Sequence, residues 1–162
     1  MSQPIPNVPI NFVPAKTGDV LSLVPSTPII TRMRPSGLNL LVDNRIDAAE
    51  LTIPPRTLGP PLHWHEMHDE TFLVTPGTVR FHRHGSDDLD AKTGDYVVVG
   101  VRAPHTFSNP FDVEARFFNT FTPAFYINYF KLLSQLADEG KPLSPGINRQ
   151  AMASFATLPV KK

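Results

Sequence analysis

Three histidines and one glutamate have the residue types and the spacing of a metal site. His63 and His65 are two residues apart, Glu70 follows five residues after the second, and His105 lies in a distant segment. In a β-strand, residues i and i+2 point to the same side and lie roughly 6.5–7 Å apart along the chain. Both imidazoles can therefore be directed at one point. We predict a divalent cation held by His63, His65, Glu70 and His105.

This donor set also restricts the metal and its chemistry. Imidazole nitrogens suit Fe, Zn, Cu and Ni, and a carboxylate adds a hard oxygen donor. Four protein ligands leave one or two positions for water, O₂ or substrate on an octahedral ion, and an open position distinguishes a catalytic site from a structural one. We expect Fe(II), with Zn, Mn or Ni as alternatives. Glu70 can also accept a proton when it leaves the metal.

The remaining histidines are interpreted differently. His68 follows His65 by three residues, out of step with the first pair. It is expected at the rim of the site or next to the metal ligands, where it could move a proton, with a plain surface position as the alternative. His82 and His84 stand beside Arg80 and Arg83 and are expected on a solvated outer face. A zinc-protease helix is excluded, because the pair His65 and His68 is one residue short of the i, i+4 spacing. The Gly-x-Ser-x-Gly elbow of serine hydrolases is also absent.

Composition excludes several classes of protein. The 162 residues suggest one domain, and 15 basic residues balance 15 acidic ones, so nothing favours nucleic acid or anionic lipid as a partner. No apolar run is long enough for a membrane span. The N-terminus does not resemble a signal peptide, so we expect a cytoplasmic protein. The absence of cysteine excludes disulfides, thiolate ligands and a cysteine nucleophile.

The elements that must position the donors are predicted to be strands. Eighteen prolines and nine glycines argue against a helical bundle and favour a sandwich or barrel of short strands. A hairpin is expected at Pro76-Gly77, and the apolar run Tyr96–Val99 suggests a strand covered on both faces. Strands are predicted near residues 20–24, 29–33, 38–43, 46–53, 70–75, 78–83, 96–99 and 113–121.

The hydrophobic period changes after the last strand. Thr122 is a plausible N-cap, with Pro123 at the first helical position of a helix that Gly140 ends. A second helix is expected near residues 147–155. The predicted organisation is an N-terminal arm over residues 1–19, a β-barrel over 20–122 and a helical segment over 123–162.

Two motifs resemble those of the cupin superfamily. The first is His-x-His, four residues, Glu, six residues and Gly77, although Gly59 is closer to His63 than the leading glycine usually is. The second contains Gly94, Asp95, His105 and Asn109, with Gly100 and Arg102 in place of the usual proline and glycine. The resemblance implies an all-β fold with C-terminal helices, built on a single cupin jelly-roll barrel with the metal inside. It also implies a homodimer. The segment 123–140 is similar to the tail of quercetin-dioxygenase-like cupins.

Fold alone does not determine the reaction, so three functions are considered. The first is a metal-dependent oxygenase, dioxygenase-like, acting on a small aromatic or polyketide-like molecule such as those of secondary metabolism. The second is a non-redox decarboxylase, isomerase or cyclase in which Glu70 or His68 moves the proton. The third is a metal- or ligand-binding protein without turnover. The substrate pocket is predicted to be lined by Phe72, Phe81, Phe107, Phe117 and Tyr126.

Overall fold

The computed structural model describes residues 45–141 and 144–160, together with Phe12, Pro14 and the segments 20–22 and 28–31. The predicted strand at 38–43 and nearly all of the predicted arm lie outside these residues. In chain order, the described elements are β1 (Val20–Ser22), β2 (Pro28–Thr31), β3 (Asp47–Ile53), β4 (Thr57–Leu58), β5 (His63–His65), β6 (Asp69–Val74), β7 (Thr78–Arg83), β8 (Leu89–Lys92), β9 (Tyr96–Val99), β10 (His105–Asn109), β11 (Ala115–Thr122), α1 (Ile127–Asp138), α2 (Pro145–Ser154) and β12 (Thr157–Pro159).

Hydrogen bonds join the described strands into two antiparallel sheets. The first sheet has the order β1-β2-β3-β11-β6-β9, and the second has the order β12-β5-β10-β7-β8, with β4 also paired to β10. Between β3 and β11 the chain passes repeatedly from one sheet to the other, so that their inner faces enclose one core. This is a jelly-roll arrangement with two C-terminal helices, and it confirms the predicted fold class. The boundary at residue 122 between barrel and helical segment stays a prediction.

The core lies between the sheets and is built by alternation along the strands. In β3 every second residue is buried, and β11 follows the same pattern. Four phenylalanine rings pack edge to face at the centre, with centroids 5.0–6.4 Å apart: Phe72, Phe81, Phe107 and Phe117. Each such pair contributes about 0.5–1.5 kcal/mol beyond the area that it buries. This cluster fixes the spacing of the two sheets beneath the histidines.

The prediction that Tyr96–Val99 is covered on both faces is wrong. The exposed fractions are 60% for Tyr96 and 63% for Val98, whereas Val99 is buried. Among the described strands, β9 pairs with β6 at the edge of the first sheet, and the face of β9 that carries Tyr96 and Val98 is exposed. A continuous apolar run does not distinguish a central strand from an edge strand.

The first helix begins later than predicted. Thr122 is the last residue of β11, paired with Asp69, and residues 123–126 form a turn, so α1 starts at Ile127. Gly140 adopts a positive φ of 70° just after the helix, as its predicted role requires. The second helix starts at Pro145, and the side chain of Ser144 caps it by accepting a hydrogen bond from the amide of Ile147. Within the described part of the chain, neither helix has the length and apolar character needed to cross a bilayer.

The chain then returns to the second sheet as β12, an element that the sequence did not predict. This strand pairs with β5, with Thr157 opposite His65 and Pro159 opposite His63. It therefore forms the edge beside the strand that carries the first two histidines.

Candidate metal centre

The two sheets bring the predicted donors together from opposite sides of the core. His63 and His65 lie on the inner face of β5, and β10 places His105 directly opposite His63. Glu70 comes from β6 in the other sheet. All four residues are buried, with exposed fractions of 1–4%, and the three imidazole centroids are 4.6–5.1 Å apart.

The outer nitrogen of each imidazole has a partner that fixes its proton. Nδ1 of His63 donates to the Pro61 carbonyl at 2.7 Å, and Nδ1 of His105 donates to the Ala103 carbonyl at 3.0 Å. A carbonyl oxygen can only accept, so both Nδ1 atoms must carry the proton. In the neutral ring, the Nε2 atom that faces the site is then an unprotonated acceptor.

The third imidazole is held by a hydroxyl group from the C-terminal strand. Thr157 donates its hydroxyl proton to the Phe155 carbonyl at 3.3 Å, and its oxygen accepts from Nδ1 of His65 at 2.8 Å. With its hydroxyl proton on that carbonyl, Thr157 can only accept from His65, which gives this ring the same tautomer as the other two. Metal-binding histidines typically have their second nitrogen held in this way.

The inner atoms of the site are consequently all acceptors. Oε2 of Glu70 lies 2.9 Å from Nε2 of His65 and 3.2 Å from Nε2 of His105. A carboxylate has no proton to donate, so these close contacts are repulsive unless a positive charge lies between them. At His65 a shift of the ring proton to Nε2 would relieve the contact. The Ala103 carbonyl fixes the tautomer of His105, however, so the contact of that ring with Glu70 is satisfied only by a protonated ring or a bound cation.

Protonated rings are a poor solution in this environment. Burial, followed by repulsion from His105 and His65, lowers the pKa of His63 to about 3. Burial by itself raises the pKa of Glu70, but its close side-chain contacts with His105 and His65, first as hydrogen bonds and then through charge, bring that pKa well below its usual range, so Glu70 is a carboxylate. Ligand atoms of His63, His65 and His105 all lie within 4.8 Å of one another. This buried group can hold a metal ion, which supplies the missing positive charge without charging each ring.

His68 lies inside the protein next to the predicted ligands, and not at the rim or on the surface. Its exposed fraction is 1%, and neither ring nitrogen has a hydrogen-bond partner among the described residues. The ring lies 4.0 Å from that of His65 and 4.4 Å from that of Tyr126, and a ring nitrogen lies within 4.8 Å of ligand atoms of His65 and Glu70. The turn after β5 breaks the strand alternation, so its spacing from His65 did not determine its side. Burial, then the charge of His65, lowers its pKa to about 3.

The aromatic residues predicted to line a substrate pocket fall into two groups, one at the site and one in the core. Phe72 and Tyr126 contact the site, with centroids 6.3 Å from His105 and 4.8 Å from His65, respectively. Phe81, Phe107 and Phe117 pack with Phe72 deeper in the core. Their contact with a substrate stays a prediction.

The departures from the second sequence motif leave the turn before His105 intact. Arg102 adopts a positive φ of 65°, the backbone conformation for which glycine is usually needed. Its amide donates to the carbonyl of His65 at 2.8 Å, and its side chain donates to Glu66 at 2.8 Å. These contacts hold the strained residue in place and tie the two motif segments together. Asn109 has the structural role expected for it, since its amide group donates to the carbonyls of Ile53 and Val113.

Thr157 is the site residue that the sequence did not reveal. It is 92 positions from its partner His65, in a short segment after a helix. A single threonine carries no pattern, and only the pairing of β12 with β5 brings it to the site.

Comparison with known proteins agrees with this architecture. Residues 49–121 match the family model described as Cupin domain, whereas no curated protein sequence matches the chain significantly. KdgF from Halomonas sp. has a similar structure, with a TM-score of 0.59 and 16% identity over 73% of this chain and 99% of that one. A Cupin 2 conserved barrel domain protein from Salinispora arenicola gives a TM-score of 0.51 and 15% identity over 77% of this chain and 98% of that one. A sugar phosphate isomerase from Silicibacter pomeroyi gives a TM-score of 0.50 and 19% identity over 59% of each chain.

At these identities the solved structures indicate a shared fold and not a shared reaction. Residues 49–121 are thus similar to a cupin domain in sequence, and the jelly-roll fold of the described residues is shared with solved cupin structures.

Proposed function

We propose that this protein is a metal-dependent cupin enzyme, dioxygenase-like, that acts on a small and largely apolar molecule. His63, His65, Glu70 and His105 would hold the ion, with Fe(II) favoured. One observation carries the proposal: three buried imidazoles and a carboxylate converge, and the carbonyl partners of Nδ1 in His63 and His105 leave the inner nitrogens of those rings without a proton to share with Glu70. Such a group is costly to bury unless it binds a cation.

The donor types support a transition metal rather than calcium or magnesium. Three imidazoles and one carboxylate suit Fe, Zn, Cu and Ni, whereas Ca²⁺ and Mg²⁺ prefer oxygen ligands. When bound, Fe(II) would supply redox chemistry and would favour the ionised form of an enol or phenol substrate. The narrower likeness to quercetin-dioxygenase-like cupins rests on the sequence of the helical tail.

The surroundings of the site support an apolar substrate. The ring of Tyr126 packs against His65 and His68, and the rings of Phe121 and Phe125 pack edge to face with His68, with centroids 5.9 and 5.2 Å away. Burial, then the charges of Tyr129 and Glu70, raises the pKa of Tyr126 well above its usual range, so the phenol stays neutral. Because the donors are at most 4% exposed, a substrate can enter only when side chains over the site move.

The second candidate is a non-redox lyase or isomerase, and His68 is the observation that favours it. This imidazole is buried beside Glu70 with both nitrogens unpaired among the described residues. A neutral imidazole and a carboxylate at this separation can pass a proton between two substrate atoms without any oxidant. In the oxygenase, the same imidazole would take the substrate proton.

Reconstitution separates the two candidates. Metal-free protein would be loaded with Fe(II) or Zn and supplied with phenolic and enolisable substrates, with and without O₂. The oxygenase proposal predicts O₂ uptake with Fe(II) only. Equal anaerobic turnover with Zn would support the non-redox reaction instead, and stoichiometric binding with unchanged ligand would contradict both.

Two variants test the proton-transfer role of His68. His68→Ala should lower turnover while metal content stays near that of the wild type. His84→Ala, which removes an exposed imidazole in the β7–β8 turn, is the matched control and should change neither. Unaltered turnover in His68→Ala would remove His68 from the mechanism. We also propose that the protein is a homodimer, which light scattering on a sizing column would test.

A further inference from the structure

A chain of three polar side chains lies on the outer face of the second sheet, away from the metal centre. Nε2 of His82 and Oγ of Ser108 are 2.8 Å apart, and Nδ1 of His82 and Oδ1 of Asp88 are 2.9 Å apart. By the two-residue period of β10, His105 and Phe107 face the core, whereas Thr106 and Ser108 face outward. Thr106 is directly opposite His82 on β7. The strand β10 therefore carries the metal-site residue His105 on its inner face and Ser108 on its outer face.

The proton positions in this chain follow from its acceptor. The Asp88 carboxylate can only accept, so Nδ1 of His82 carries the ring proton of the neutral imidazole. Nε2 is then free to accept the hydroxyl proton of Ser108. A hydroxyl nucleophile, an imidazole base and a carboxylate that orients the base are linked in the order used by serine hydrolases.

A groove of about 430 Å³ runs along these side chains. Its walls include His82, Ser108, Pro60, Phe107 and, from α2, Pro145 and Asn148. Gly59 lets the wall approach β10, because a Cβ at that position would clash with the Phe107 carbonyl oxygen. The groove is large enough for a small acyl or aryl group.

Asn148 lines the same groove and carries a side-chain amide. Its side-chain oxygen accepts from the Tyr129 hydroxyl at 2.6 Å, which fixes the orientation of the amide. The side-chain nitrogen of Asn148 remains able to donate a hydrogen bond. A side-chain amide of this kind can stabilise the negative oxygen that forms during acyl transfer.

We propose that Ser108 and His82, oriented by Asp88, form a second catalytic centre that hydrolyses small carboxylic esters. Ser108 Oγ attacks the ester carbonyl carbon while its proton passes to His82 Nε2. The carbon–oxygen bond to the alcohol then breaks, and the alcohol leaves with that proton. Water attacks the acyl-serine, gives a proton to His82, and the acid leaves as Ser108 regains its hydroxyl proton.

The exposure of the group indicates which esters react. Ser108 is only 4% exposed and is reached through the groove, whereas the side chains of His82 and Asp88 are 34% and 46% exposed, so water competes for the hydrogen bond that orients the base. Esters with a good leaving group, such as p-nitrophenyl acetate, need little help from the general acid and should react fastest. This activity is independent of the metal chemistry proposed above.

The test combines covalent labelling with hydrolysis by the full chain. A fluorophosphonate probe should attach to the peptide that contains Ser108, as read by mass spectrometry. Ser108→Ala should lose the label and at least about tenfold in p-nitrophenyl acetate hydrolysis. Ser86→Ala and His84→Ala, which alter an exposed hydroxyl and an exposed imidazole in the same hairpin, should behave as the wild type. Activity should also survive removal of metal by a chelator.

Asp88→Asn provides a second variant, in an exposed turn where the change does not threaten folding. It should lower kcat with little change in KM, because Asp88 orients the base and does not touch the ester. Hydrolysis at the wild-type rate by folded Ser108→Ala, labelling at another residue, or loss of activity with the metal would each overturn the proposal.

Discussion

The contact between Thr157 and His65 gives a sharp prediction about metal affinity. Thr157 is fully buried, and its oxygen lies 2.8 Å from Nδ1 of His65. Valine has nearly the shape of threonine, so Thr157→Val removes the hydroxyl while leaving the packing in place. The His65 ring then has no acceptor for its Nδ1 proton.

The ring can respond by moving that proton to the inner nitrogen. Nε2 of His65 would then donate to Glu70, which is already 2.9 Å away. This satisfies the metal-free protein but blocks the atom that must face the ion. Loss of such a supporting contact typically lowers metal affinity by about 10- to 100-fold, or roughly 1.4–2.7 kcal/mol. The unfolding free energy of the metal-free protein should change less.

Competition with a chromophoric chelator would measure the dissociation constant, and thermal unfolding of the metal-free protein would measure stability. Thr157→Ser keeps the hydroxyl and should restore most of the affinity. Thr71→Val removes a hydroxyl that contacts Thr120, at 2.6 Å, and has no role at the site, so it should leave affinity unchanged. Wild-type affinity in a folded Thr157→Val protein would refute the reasoning.

Three further predictions concern charge, packing and pH. Glu70→Gln should stay folded, because its amide can donate to a facing imidazole, but should lose most of its metal by elemental analysis. Phe117→Ala, at a fully buried position in the aromatic cluster, should lower the unfolding free energy by about 3–5 kcal/mol in a denaturant titration. Burial raises the pKa of Asp47 from 3.8 to about 6, against the Lys131 charge and the Ile127 amide. The folded state therefore holds this proton more tightly, and stability is lost as pH rises from about 4 to 6, by about 2–3 kcal/mol. Asp47→Asn should remove that loss, and an identical slope in both proteins would contradict it.

The sequence predicted what depends on local pattern. The alternation in the hairpin gave β7 its bounds of Thr78–Arg83, and the i, i+2 spacing put His63 and His65 on one face of β5. Spacing also predicted Glu70 and His105 as ligands of the same ion, because each lies at a fixed position in a motif of defined length. These features need no knowledge of the rest of the chain.

What could not be predicted depends on contacts between distant segments. The position of β9 at a sheet edge is a property of strand order, which an apolar run does not encode. The interior position of His68 depends on how the turn after β5 folds back under Tyr126. The role of Thr157 requires β12 to return to the second sheet after two helices. The Ser108–His82–Asp88 chain likewise has no local motif, since its members come from two strands and a turn.

A crystal structure with anomalous data collected at the absorption edge of the bound metal tests the central claim most directly. The account predicts one ion per chain, at about 2.0–2.2 Å from Nε2 of His63, His65 and His105 and from a carboxylate oxygen of Glu70. An ion bound elsewhere, or protein that takes up none while the three Nε2 atoms carry protons, would contradict it.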